Sequence, residues 1–121
     1  MRKEEFFKEA IPDCTGPLEG VRVLEATTSL AGPFAGTLLA DMGAEVIKCE
    51  MPKTGEIIRY CPPFLPSSDP LEQSIIHLSV NRNKKNVTLA LNQPGGAQVF
   101  RELAAEADVV IQNYKPGTMD K

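Results

Sequence analysis

Two stretches of this chain follow the same order: a short β-branched apolar run, a proline-led helical stripe, then a second apolar run. In the first, Val21-Arg22-Val23-Leu24-Glu25-Ala26 leads through Pro33 to Phe34, Leu38 and Met42, and on to Ala44–Glu50. In the second, Val87-Thr88-Leu89-Ala90-Leu91 leads through Pro94 to Val99, Leu103 and Ala107, with Phe100 and Ala104 beside them, and on to Asp108–Gln112. Runs apolar on both faces belong to strands covered by helices on both sides, which is the setting of a parallel sheet. Parallel neighbours need a crossover, and here the crossovers read as helices. The expectation is an α/β fold with a mainly parallel sheet.

Local signals sharpen this reading. Pro33 and Pro94 suit a first helical turn, where a missing N–H costs nothing. Phe34, Leu38 and Met42 are spaced as one buried stripe, and Gly43 suits the left-handed residue that closes a helix. Thr27, Thr28 and Ser29 offer short hydroxyl side chains as caps for the same helix. Between the two stretches, the segment from Met51 to Pro70 holds Pro52, Pro62, Pro63, Pro66 and Pro70, with Gly55. It reads as a long irregular connection, and such loops are usually functional or mobile. Leu71 to Leu78 fits a short helix, or a helix followed by extended chain. Residues 1 to 16 read as an N-terminal extension in which Phe6, Phe7, Ala10 and Ile11 form one apolar stripe before Pro12. The remainder, 17 to 121, reads as one partial domain. The last strand and its loop stop where a fold of this kind is expected to continue.

Composition narrows the partners. In 121 residues, 13 Lys and Arg stand against 16 Asp and Glu, a net charge of −3, so binding that runs on phosphate neutralisation along a nucleic acid is not expected. No apolar run reaches the length of a membrane span. The first residues, Met-Arg-Lys-Glu-Glu, lack the apolar stretch of a secretory signal, so the cytoplasm is the expected compartment. Cys14, Cys49 and Cys61 match neither a disulfide framework nor a zinc pattern, and inert thiols are expected. No metal site and no covalently bound cofactor are expected.

Open parallel sheets bind ligands beyond the carboxyl ends of their strands. Three loops qualify: Thr27 to Gly32, the chain from Met51, and Asn113 to Lys121. The first opens a helix and so favours an anionic group such as a phosphate, although its hydroxyls equally serve as caps. Glu50 ends the second strand, where dinucleotide-binding folds place an acid for ribose hydroxyls. Gly32 and Gly36 stand four apart, however, and no G-x-G-x-x-G occurs, which argues against a nicotinamide site. Asn81-Arg82-Asn83-Lys84-Lys85 fits either a solvated turn or a basic edge that draws in a polyanion. His77, the only histidine, reads as a partly buried structural residue. No carboxylate pair is spaced for acid–base work.

Three blocks carry a family resemblance: GVRVLEATTSLAGPFAGTLLADMGAEVIKCEMPKTGE, SVNRNKKNVTLALNQPGG and ADVVIQNYKPGTMDK. Together they resemble the N-terminal part of the class III CoA-transferases, a family that includes formyl-CoA and carnitine-related transferases and the alpha-methylacyl-CoA racemase branch. The resemblance implies a Rossmann-like large domain, of which this is the N-terminal portion. It implies an interlocked homodimer, or a hetero-oligomer with a catalytic partner. The implied chemistry moves CoA from an acyl-CoA to a carboxylic acid. An Asp carboxylate attacks the donor thioester, an acyl-aspartyl anhydride and then an aspartyl-CoA thioester form, and the acceptor acid collects the CoA. Carried over by position, the CoA contacts fall on Thr28, Ser29 and Leu30, on Met51, on Leu89, Ala90, Leu91 and Asn92, on Asn113 and Tyr114, and on Lys121. CoA or acyl-CoA is thus the substrate.

Several positions depart from the family. Leu30 stands where formyl-CoA transferases have a Gln, so formyl and oxalyl groups are not expected as substrates. Met51 replaces a basic residue, with Lys53 close by in sequence, and Asn92 replaces a Lys. Lys121 replaces an Arg, keeping charge but losing the planar fork. The family's nucleophilic Asp lies beyond the equivalent of Lys121, and none of Asp13, Asp41, Asp69, Asp108 or Asp120 matches its motif. The chain is therefore expected to hold no catalytic residue and to be inactive alone. The alternatives are a non-catalytic subunit or binding module completing a catalytic partner, or a racemase-branch fragment.

Overall fold

A computed structural model describes residues 16–66, 69 and 73–120. Its elements are β1 (Arg22–Ala26), α1 (Ala31–Asp41), β2 (Glu45–Glu50), a 3₁₀ turn (Ile57–Tyr60), α2 (Ile75–Ser79), β3 (Lys85–Thr88), α3 (Pro94–Glu106) and β4 (Val109–Gln112). All three strand pairings are parallel, and the sheet runs in the order β3-β2-β1-β4. The expected α/β fold with a parallel sheet is the one observed. Because β1 is flanked by β2 on one side and β4 on the other, the strand order reverses at β1. The crevice of such a sheet opens there, between the loops that follow β1 and β4.

Alternation along the strands divides the sheet into two faces. One carries Leu24, Ala26 and Cys49 against Phe100 of α3, with Ile47, Val87, Leu103 and Ala104 packed around them. The other carries Val23 and Val46 against Ala40 and Ala44, with Leu39 and Ile111 alongside. Further along that second face lie Glu25, Lys48 and Glu50, all buried.

Proline and glycine behave as the sequence suggests. Pro33 lies in the first turn of α1 and Pro94 is the first residue of α3. Gly43 follows α1 with φ of 99°, a conformation that glycine adopts without strain.

Other expectations need correction. Phe34, Leu38 and Met42 are not buried: they are 50%, 45% and 40% exposed. The face of α1 turned to the sheet is instead Gly32, Pro33, Gly36, Thr37 and Ala40. The reason is the carboxylate beneath it, since a Cβ at Gly36 would overlap the Glu25 side chain. A helix that lies directly on a buried charge needs small residues there, and its large ones turn outward. In α3 the buried face centres on Phe100, while Val99 is 42% exposed.

The third strand begins two residues earlier than expected and stops at Thr88. Leu89 N still reaches Glu50 O, but Leu91 N turns back to Leu89 O and Gln93 N to Ala90 O, which ends the ladder. Within the Met51–Pro70 connection, the described residues include the 3₁₀ turn, and Phe64 bridges to Ser74. Of the segment read as Leu71 to Leu78, residues 71 and 72 lie outside the described ones, and a short helix, Ile75–Ser79, runs past Leu78 without an extended tail before it ends, capped by Ser74 Oγ accepting from His77 N at 3.2 Å. The extension 1 to 16, apart from Gly16, lies outside the described residues, as do Cys14 and Lys121.

Candidate functional site

Parallel strands put all four carboxyl ends along one edge, so the loops after Ala26, Glu50, Thr88 and Gln112 line up in the order of the strands. At the crevice, Asn113 clasps Thr28 with two bonds. Its Oδ1 accepts from Thr28 N at 2.8 Å, and its Nδ2 donates to Thr28 O at 2.8 Å. The loops after β1 and β4 are thereby joined.

The loop after β1 is held from the other side by Glu56. Thr28 Oγ1 donates to Glu56 Oε1 at 3.0 Å, and Ser29 N donates to the same oxygen at 2.6 Å. Ser29 sits at φ of 65°, in the left-handed region that non-glycine residues seldom occupy. These hydroxyls do not cap α1, contrary to expectation. Thr27 Oγ1 donates to Glu25 at 2.5 Å, and Leu30, the residue that precedes α1, gives it no side-chain cap, nor is there an acidic residue in its first turn. Carboxylates take the hydroxyls of Thr27 and Thr28, and the first amides of the helix are left without a side-chain cap from their own turn.

The other expected contact residues are distributed along the same edge. Leu30 and Met51 are 51% and 41% exposed, and Met51 O accepts from Gly55 N at 2.9 Å. Leu89, Leu91 and Tyr114 pack on the cluster of Leu24, Ala26, Cys49 and Phe100. Ala90 is half-buried and abuts Gly96, while Asn92 is exposed in the turn before α3. Burial first, then the ionisable neighbours Cys49 and Glu56, pushes the Tyr114 phenol above its usual range. Burial likewise pushes the Cys49 thiol up to about 11, so it is protonated and unreactive at neutral pH.

Beneath this edge lies a network the sequence reading missed. Glu25 and Lys48 are register partners on β1 and β2. Lys48 Nζ lies 3.0 Å from Glu25 Oε1 and also donates to Thr27 O at 3.3 Å. On the other side of the same carboxylate, Lys84 Nζ lies 2.8 Å from Glu25 Oε2 and donates to Pro33 O at 2.6 Å and Val80 O at 2.9 Å. Burial lowers the Lys84 pKa, and Glu25 pulls it back up.

Glu50 is equally committed. Its Oε2 accepts from Arg59 Nε at 2.8 Å and Glu56 N at 2.9 Å, and its Oε1 accepts from Arg59 Nη2 at 2.9 Å and Asn86 Nδ2 at 2.5 Å. Both oxygens are thus taken up within the protein, which agrees with the argument against a nicotinamide ribose at this position. Burial raises its pKa, but Arg59, His77 and Lys48 outweigh burial and the carboxyl ends below its usual range.

Of the two readings of the basic run, the solvated turn holds for Arg82, Asn83 and Lys85, which are exposed in the turn before β3 and at its start, while Lys84 departs from it. Lys84 turns inward as described, Arg82 pairs with Asp41, and Lys85 pairs with Glu45. A cavity of about 330 Å³ opens beside Lys48, Arg59, His77 and Lys84, but its cations are already engaged by these carboxylates and carbonyls. His77 is buried, with Asn81 Nδ2 3.1 Å from its Nδ1.

One signal for this network was present in the sequence: a Glu and a Lys at matching positions of two strands covered on both faces, where unpaired charge is almost never found. Glu56 and Arg59 carried no such signal, because their loop has no period. Among the described residues, no group of three or more His, Cys, Asp or Glu is placed to hold a metal, and no helix is long and apolar enough to cross a membrane.

Comparison with known proteins adds a family. The model of CoA-transferase family III matches residues 18–121. Succinyl-CoA:glutarate CoA-transferase of Mus musculus is 46% identical over 110 residues, which are 90% of this chain and 24% of that protein. The β subunit of succinyl-CoA–L-malate CoA-transferase of Chloroflexus aurantiacus is 45% identical over 107 residues, 88% of this chain and 25% of that subunit. A CaiB/BaiF family protein from Brucella suis, known from its crystal structure, superposes with a TM-score of 0.77 at 40% identity, over 87% of this chain and 28% of that one. The chain thus spans about a quarter of the length of the curated relatives it matches.

Proposed function

The chain belongs to CoA-transferase family III, and from that premise we propose that its strand-end edge is the CoA-binding part of an enzyme moving CoA from an acyl-CoA to a carboxylic acid. The observation that carries this reading is the clasp of Asn113 on Thr28, which joins the loops after β1 and β4 at the crevice. The exposed Leu30 and Met51, the turn Leu89–Asn92 and the half-buried Tyr114 belong to the same edge. Uncapped amides at the start of α1 suit a phosphate oxygen of CoA. Apolar Leu30 and Met51 suit the uncharged parts of the ligand.

In the proposed reaction, an Asp supplied from outside this chain attacks the donor thioester carbonyl and expels CoA thiolate, forming an acyl-aspartyl anhydride. The thiolate attacks the aspartyl carbonyl, releasing the donor acid and leaving an aspartyl-CoA thioester. The acceptor carboxylate displaces the thiolate to form a second mixed anhydride. The thiolate then attacks the acceptor carbonyl, giving the new thioester and the free Asp. This chain's part is to bind and orient the CoA, an entropic contribution to each step.

A second reading, that the chain is a non-catalytic subunit completing a catalytic partner, draws support from the relative that is a β subunit. In both readings the edge meets CoA. Titration calorimetry of the chain with CoA, with NAD as control, tests that common core. Saturable heat from CoA and none from NAD is expected, and a folded chain silent to CoA would refute it.

A further inference from the structure

Glu56 links the candidate site to the charge network beneath it. Its Oε1 receives both Ser29 N at 2.6 Å and Thr28 Oγ1 at 3.0 Å. The carboxylate is itself fixed, because Glu56 N donates to Glu50 Oε2 and Glu50 is held in turn by Arg59. Its side chain is 3% exposed, and its Oε2 has no hydrogen-bond partner among the described residues. His77 Nδ1 stands 3.8 Å away, too far for a hydrogen bond. Burying a carboxylate with one oxygen unbonded is costly. What Glu56 does is hold Ser29 at positive φ.

We propose that Glu56 is a positioning residue for CoA recognition: it locks the Thr28–Ser29 turn against the Asn113 clasp, so that the loops after β1 and β4 present one fixed wall to the ligand. The proposal rests on the CoA reading above. Without Glu56, Ser29 N and Thr28 Oγ1 lose their common acceptor, Ser29 relaxes toward negative φ, and the wall is no longer formed in advance of binding.

The test compares Glu56→Ala, Glu56→Gln and Glu56→Asp in the full chain. CoA affinity is read by calorimetry, and Ser29 amide exchange by NMR without ligand. The Ala variant is expected to bind CoA about tenfold more weakly or worse, a loss of the size that follows from removing hydrogen bonds to a charged group. Gln keeps an oxygen that accepts both bonds, and its affinity is expected within about threefold of the parent, since only charge is lost. Asp is one methylene too short to reach and is expected to fall with Ala. Ser29 exchange should be slow in the parent and in Gln and fast in Ala and Asp, a pattern that general destabilisation would not give.

A folded Ala variant with unchanged CoA affinity overturns the proposal. If Ala does not fold, Thr28→Val, which deletes one of the two bonds, takes its place: a severalfold loss supports the proposal and unchanged affinity overturns it. If the parent itself takes no CoA, the CoA reading fails on its own ground, and Ser29 exchange decides the rest. Protection lost on removing the carboxylate upholds Glu56 as the residue that sets the turn, and equal exchange in parent and Ala rejects it.

Discussion

Under α3, the sheet presents Leu24, Ala26, Ile47, Cys49 and Val87 to Phe100, Leu103 and Ala104. Under α1, the same strands present Val23 and Val46 near their starts and Glu25, Lys48 and Glu50 near their ends. The first face is held by apolar area, a non-directional force that accepts any side chain of suitable volume. The second is held by charges that must meet particular partners at particular distances, because a buried charge without its partner is among the most destabilising things a fold can contain. The difference teaches where the chain's precision is concentrated. The charges lie beneath the strand ends, and through Thr27, Glu56 and Glu50 they grip the loops that form the candidate site.

Near-isosteric changes on neighbouring residues of β1 sharpen the contrast. Glu25→Gln leaves Lys48 and Lys84 buried without their counter-charge and should cost about 3–5 kcal/mol of stability in urea unfolding. Losses below about 1 kcal/mol would mean that the network is solvated and that the two faces are alike.

A smaller effect is expected from acid. Burial works to raise the pKa of Glu50, and also of Glu56, but the partners of each outweigh it and both end below the ordinary carboxylate value. The unfolded chain therefore binds more protons than the folded one as pH falls below about 4.3. The stability these groups contribute is complete above that pH and is lost as pH drops through their lower folded values. Arg59→Met removes the main partner of Glu50, so the acid midpoint, followed by circular dichroism, should move to higher pH. An unmoved midpoint would show that the pairing of Glu50 with Arg59 adds nothing.

The smallest effect belongs to the apolar face. Leu24→Met conserves volume and should cost less than about 1.5 kcal/mol in the same urea series. A loss equal to that of Glu25→Gln would erase the distinction between the faces.

How much of this was legible beforehand follows from the same contrast. Apolar periodicity located the strands, the existence of α3 and the parallel arrangement, because area burial is written one residue at a time, although the buried face of α3 turned to Phe100 rather than Val99. The same logic misjudged α1. Phe34, Leu38 and Met42 have the spacing of a core stripe, yet Gly32 and Gly36 form the buried face because a carboxylate lies under it. The loop positions after each strand were located by the strand-end rule and by family resemblance, and Thr28 and Asn113 are directly bonded to each other. Glu56 and Lys84 were not foreseen as members of a buried network. Each meets its partner across a long stretch of chain, and pairing of that kind leaves no periodic trace.

The claim that the strand-end edge is where CoA binds is tested most directly by titrating the isotopically labelled chain with CoA and following its backbone amides by NMR. Saturable shifts are expected at Thr28, Ser29, Leu30, Met51, Leu89–Asn92, Asn113 and Tyr114, with Arg22, Glu45 and Ala107 at the opposite end of the strands unmoved. Shifts confined to that opposite end, or none in a folded chain at saturating CoA, would contradict it.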